Sequence, residues 1–423
     1  MLFRSVLKKI ALFFLCLGLF GCNSPLTDNR IELSDQRYDI IDYDAINKSM
    51  VAENPLNVAV LLPLTGKASN VGLGMQNAMF MALDDLQNNR MVLKFYDTGS
   101  TENGAAVAAD RAVQEGANLI LGPLMGNEVE GVSSVALSAD VPVVSFTTSP
   151  QVLQKGIYSI GLLTGEQVDR AVSYAAAQGR SKLALLVPDN NSGLNIVKAA
   201  LMSSVAKDMS LVKVGFYSPE SMDFSVMVKE MSSAADFDAV MIADSGNRLK
   251  SMASMFAYND IMYPDVLFLG TSAWDNTNLS KETILYHGVY PMVSKSYGTY
   301  FTDKYKETFG EQPKSIYSFA YDSVLLASVL STKDRNDLDA ALTGKSGFIG
   351  VNGFFKILPT GQSYHSLEML EITKDGPKVV SKADNRNSDY VDSEIDIRYI
   401  PYEKLPKFYG KSSSEVLKWL YNN

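Results

Sequence analysis

The side chains able to do chemistry are few, and their spacing does not favour it. The chain has two histidines, His287 and His365, and two cysteines, Cys16 and Cys22. Neither histidine stands in a zinc-binding spacing or near a Gly-x-Ser-x-Gly nucleophile turn, so no metal, cofactor or catalytic residue is expected. Ser204-Val205-Ala206-Lys207 has the Ser-x-x-Lys spacing of penicillin-interacting serine enzymes. The companion Lys-Thr-Gly is absent, and the tetrad falls in an amphipathic helical stretch, which is the preferred reading. Gly72-Leu73-Gly74 has Asn77 where a dinucleotide fingerprint needs a third glycine, and a long loop separates it from the strand before it. Thr65-Gly66-Lys67 lacks the earlier glycine and the Ser/Thr of a phosphate-binding loop. Carboxylate pairs for acid–base work stay open, because any two of many acids can meet in a cleft.

What does recur is a short polar turn after one apolar run after another: Pro63-Leu64-Thr65-Gly66, Gly122 to Asn127, Ser145 to Pro150, Asp189 to Gly193, Asp244-Ser245-Gly246 and Gly270 to Trp274. Turns use such residues for their own sake. At the C-terminal ends of parallel strands, however, they also line the ligand crevice, where helix N-termini and short hydroxyls hold anionic groups. The elements between them fit that geometry. Strands are expected at Asn57–Leu62, Met91–Tyr96, Leu119–Leu121, Val143–Ser145, Lys182–Val187, Leu211–Tyr217, Ala239–Ile242 and Val266–Leu269, with helical spacing between them. Such alternation predicts an α/β fold with parallel sheets. The length favours two Rossmann-like lobes around a cleft over one very wide sheet.

The ends carry other signals. Met1 to Gly21 combines Arg4, Lys8 and Lys9 with an apolar run from Ile10 to Phe20, the layout of a secretory signal peptide and short of the ~20 residues a membrane span needs. Leu19-Phe20-Gly21-Cys22 resembles a lipobox, which makes Cys22 the expected lipidation site, and residues 22–55 read as a tether. Asn23 after that cysteine leans toward the outer membrane. A net charge of −9 with no basic cluster beyond the signal argues against nucleic acid. Residues 384–423 stay unassigned apart from Ser412 to Leu420, whose capping box and apolar stripe predict a short helix packed on the body.

From Asn57 to about Ile372 the chain resembles the leucine/isoleucine/valine-binding family of type I periplasmic binding proteins. The resemblance rests on Val58 to Gly66, Leu119 to Leu124, Val141 to Pro150 and Ser318-Phe319-Ala320-Tyr321-Asp322-Ser323. It implies lobe 1 from 56–162 and 288–332 and lobe 2 from 163–287 and 333–383, with crossovers near Ile160–Gly165, Tyr286–Pro291 and Thr332–Asp339. It also implies a ligand carboxylate held near Gly126, Asn127, Thr147 and Thr148, with Thr65 on the first cleft loop. Ser272 stands where amino-acid receptors carry an acid, and Ser192 replaces a cleft aromatic; Asp244 is the substitute partner for an ammonium group. Gly270 to Asp275, Phe309 to Pro313 and Gly347 to Phe355 resemble the penicillin-binding protein activator group. The resemblances therefore imply a non-enzymatic, lipid-anchored periplasmic protein. Its expected role is to regulate a peptidoglycan synthase or, alternatively, to deliver amino-acid-like zwitterions to an ABC permease.

Overall fold

A computed structural model describes residues 54–233, 236–294 and 299–383. Cys22, the signal and nearly all of the tether, and the segment from 384 onward lie outside the described residues.

The first half of lobe 1 alternates β1 (Leu56–Leu62), α1 (Ser69–Leu86), β2 (Met91–Asp97), α2 (Glu102–Gln114), β3 (Leu119–Leu121), α3 (Gly126–Ser138), β4 (Val143–Ser145) and β5 (Ile157–Ser159). The five strands form a parallel sheet in the order β2-β1-β3-β4-β5. Lobe 2 repeats the plan with α4 (Thr164–Ala177), β6 (Lys182–Pro188), α5 (Asn191–Ala206), β7 (Ser210–Tyr217), α6 (Ser225–Ser232), β8 (Ala239–Ile242), α7 (Gly246–Tyr258), β9 (Leu267–Leu269) and β10 (Val289–Val293). Its parallel strands run β10-β9-β8-β6-β7, the same winding as lobe 1.

The rest of the chain completes both lobes. Helices α8 (Thr299–Phe309) and α9 (Ser315–Leu330) pack on α1. Helix α9 is buried almost all round, with α1 as its main neighbour. The glycines of the Gly72-Leu73-Gly74 motif let α1 approach two neighbours closely, the loop after β1 and α9. A Cβ at Gly72 would lie 2.2 Å from the Pro63 carbonyl oxygen, and one at Gly74 would lie 2.1 Å from the Tyr317 ring. After α10 (Leu338–Leu342) come β11 (Phe348–Gly350), β12 (Gly353–Ile357) and β13 (Ser363–His365), a separate antiparallel sheet. Strands β14 (Leu367–Thr373) and β15 (Gly376–Ser381) then extend the lobe 2 sheet beyond β10.

Two expected crossovers move. β10 occupies 289–293 inside the lobe 2 sheet, so the chain leaves lobe 2 after Val293 and not within Tyr286–Pro291. The stretch Thr332–Asp339 stays with lobe 1, where Tyr158 donates to Asp339 Oδ1 at 3.0 Å and α10 packs on α9. The return to lobe 2 comes at Ser366, between β13 and β14, so residues 333–365 do not belong to the lobe 2 sheet as expected.

Candidate functional site

In each lobe the winding reverses between the first and third strands, and a crevice opens beyond the strand ends at such a switch point. The loops after β1 and β3 flank it in lobe 1; those after β6 and β8 flank it in lobe 2. The two edges face each other. Gln151, after β4, donates from Nε2 to Asn195 Oδ1 on α5 at 2.7 Å, so the lobes meet across the cleft.

On the lobe 1 wall, Asp97 at the end of β2 shapes the first cleft loop. Its Oδ1 accepts from Leu64 N, Thr65 N and Gly99 N at 2.9–3.0 Å, and its Oδ2 from Thr65 Oγ1 at 2.6 Å. Burial alone would raise the Asp97 pKa, but the Thr65 hydroxyl and these amides hold it below the usual carboxylate value. The Thr65 hydroxyl is therefore committed to the turn. Gly126 and Asn127 open α3, with Gly126 packed so closely on the next loop that a Cβ would lie 2.9 Å from Ser149 Oγ. Buried Glu128 accepts from Met125 N at 3.0 Å and from Thr98 Oγ1 at 2.5 Å, so it caps only the N–H that precedes the first turn. Thr147 is buried, and its Oγ1 accepts from Ser149 N at 3.1 Å. Thr148 and Asn127 are exposed. Gly126, Thr147 and Thr148 thus come together, with Asn127 beside them.

The lobe 2 wall differs from expectation. Asp244 Oδ2 accepts from Tyr217 OH and from Arg248 Nε, each at 2.8 Å, and its Oδ1 takes Ser245 N at 2.7 Å. Arg248 Nη1 also reaches the Pro219 carbonyl at 2.5 Å, and the guanidinium lies 5.1 Å from the Tyr217 ring centroid. Burial works against the Arg248 charge, yet the Asp244 carboxylate outweighs it and raises the pKa. Burial and Asp244 together push the Tyr217 hydroxyl far up. The substitute ammonium partner is thus already neutralised by an arginine four residues on. Ser272 gives its backbone N–H to Gln167 Oε1 at 2.9 Å, and Gln167 Nε2 in turn binds the Leu162 carbonyl at 3.1 Å. Ser192 is exposed in the first turn of α5, where Asn190 caps Gly193 N at 3.1 Å.

The motifs set aside above also find places. Ser204 is buried in the last turn of α5, at the helix end opposite the cleft. His287 pairs with Glu371 Oε1 at 2.9 Å and stacks on Tyr263 at 4.5 Å. The residues that sequence reasoning missed are Asp97, Arg248 and Gln151. Arg248 was within reach, because an acid and an arginine four apart at a helix start pair readily.

A family model of periplasmic binding proteins matches residues 55–377. A Leu/Ile/Val-binding protein of Rhizobium johnstonii is 22% identical over 194 residues, 43% of this chain and 53% of that one. The chain spans about half the length of the curated relatives it matches. A putative branched-chain amino acid ABC transporter from Rhodospirillum rubrum superposes with a TM-score of 0.68 at 16% identity, covering 77% of this chain and 100% of that one. A solute-binding protein of a Rhodopseudomonas palustris ABC transporter, solved in complex with benzoate, gives 0.59 at 13% identity, covering 79% and 98%. With two lobes of one winding, joined by crossovers around a cleft and matched along most of the length, the chain belongs to the periplasmic binding protein family and has its type I fold.

Proposed function

We propose that this chain is a non-catalytic solute receptor that closes its lobes on a small carboxylate-bearing molecule and serves an ABC importer outside the cytoplasm. The observation that carries this reading is the asymmetry of the cleft walls. Lobe 1 offers the first turn of α3 beside Thr147 and Thr148, a place suited to a carboxylate. Lobe 2 offers an acid already paired with Arg248. An ammonium group is therefore not required of the solute. Leucine and benzoate share a carboxylate and differ in the amine, so the names of the relatives fit the same division.

The regulator of a peptidoglycan synthase, expected from the segments at Gly270 and Gly347, draws no support from those names. Both segments have structural work instead. A Cβ at Gly270 would lie 2.2 Å from the buried Trp274 ring, and one at Gly350 would lie 2.3 Å from Asp322. The anchor at Cys22 belongs to this reading as a proposal, tested by mass spectrometry of the mature N-terminus.

Thermal melting with a panel of amino acids and amine-free carboxylates tests the receptor. Ligand at a hundredfold its dissociation constant adds about 2.7 kcal/mol to the folded state. A folded protein whose melting point no carboxylate raises would overturn it.

A further inference from the structure

His365 is a closely confined polar ring beside the crossovers. It is 2% exposed, stacked on Phe355 with centroids 5.8 Å apart and met edge-on by Phe319 at 5.5 Å. Phe319 belongs to α9, and α9 also holds the sheet that carries Phe355: Asp322 accepts from Val351 N at 2.7 Å and from Asn352 Nδ2 at 2.8 Å. The ring is therefore seated in lobe 1. Its hydrogen-bond partner is not. Nδ1 lies 3.1 Å from Oε1 of Glu166, which rides in the first turn of α4, the first helix of lobe 2. The same carboxylate accepts from Leu163 N at 2.8 Å and His365 N at 2.7 Å, one N–H from each of two crossovers. The other ring nitrogen, Nε2, is buried and has no partner.

We propose that the Glu166–His365 contact is an interlobe latch, which sets the fraction of molecules whose cleft is closed. The bare Nε2 is what gives the contact its leverage. Because the cage is aromatic, Glu166 supplies the ring's one hydrogen bond, and a rotation of lobe 2 that withdraws the carboxylate leaves the whole imidazole unsatisfied. Opening then works against a buried polar group. The other charged groups nearby have their own partners: Asp322 binds the β11–β12 turn, and Glu368 takes the Ser294 hydroxyl at 2.8 Å. Lys356 alternates to the opposite face of β12 from Phe355.

The inference rests on the receptor reading for its purpose but is tested without solute. Spin labels at Asn103→Cys on α2 and Asn247→Cys on α7, both exposed positions, report lobe separation in the full chain with Cys16 and Cys22 changed to serine. Glu166→Gln weakens the acceptor, and His365→Phe puts an apolar ring into an apolar cage so that the fold is kept. The open-to-closed ratio is expected to rise roughly tenfold in both, as loss of one buried hydrogen bond implies. Folded variants with the wild-type distance distribution would overturn the latch. A shifted distribution in a chain that binds no carboxylate would uphold the latch and overturn the receptor, so the two failures stay distinguishable.

Discussion

At the rim the lobes meet through a part-buried amide pair, Gln151 with Asn195, which water can replace on either side. At the crossovers they meet through Glu166 and His365, both nearly or fully buried, the Glu166 carboxylate also taking the backbone N–H groups of Leu163 and His365. Both contacts span lobes, but their energetics differ in kind. A bond whose partners can turn to water contributes little net, whereas a buried donor deprived of its acceptor carries the full desolvation cost. The rim can therefore open and close cheaply, while a motion that breaks a crossover bond is opposed by the desolvation cost of the group it strands.

A variant in the buried lobe 1 support behind His365, and others along the cleft, test this contrast. Asp322→Ala strips the acceptor from Val351 N, Asn352 N and Asn352 Nδ2, and the expected loss is about 3 kcal/mol or more by denaturant unfolding. A loss as small as that of a rim variant would erase the distinction. Burial, opposed by these bonds, raises the Asp322 pKa from 3.8 to about 6. An acid with a raised pKa binds its proton more tightly when folded. Its contribution to stability is therefore greatest below the ordinary carboxylate pKa and is lost as pH rises to about 6. Melting temperatures across this window should show that slope, and Asp322→Asn should flatten it.

At the lobe 2 wall, Arg248→Met frees the Asp244 carboxylate. We expect about 1 kcal/mol of lost stability and a shift of preference toward amine-bearing carboxylates, read by melting the variant with matched ligand pairs. An unchanged preference would remove Asp244 from the solute's surroundings. Gln151→Ala should change stability by less than about 0.5 kcal/mol yet widen the label separation across the cleft. No widening would mean that the rim bond has no part in closure.

The alternating strands and most helices were legible because each carries its own period: β3, β4 and β8 fall where their apolar runs predict them. β10 was not, since Pro291 inside Val289–Val293 argues against a strand until the pairing with β14 is known. The cleft loops were legible as turns, but the commitments of their side chains were not. Thr65 meets Asp97 only because β1 and β2 pair in parallel, with Leu62 opposite Asp97. Glu166 and His365 lie 199 residues apart, and no local pattern joins them.

Neither lobe is finished by the segment that begins it. Helix α1 keeps the flank of Gly74 and Asp85 uncovered until α9 brings Tyr317 and Tyr321 to it, and the lobe 2 sheet lacks two strands until the ribosome has passed Ser381. A nascent chain of any shorter length exposes unmatched core, open to proteases and to holding chaperones alike. That order of assembly makes late truncations more damaging than their distance from the cleft would indicate.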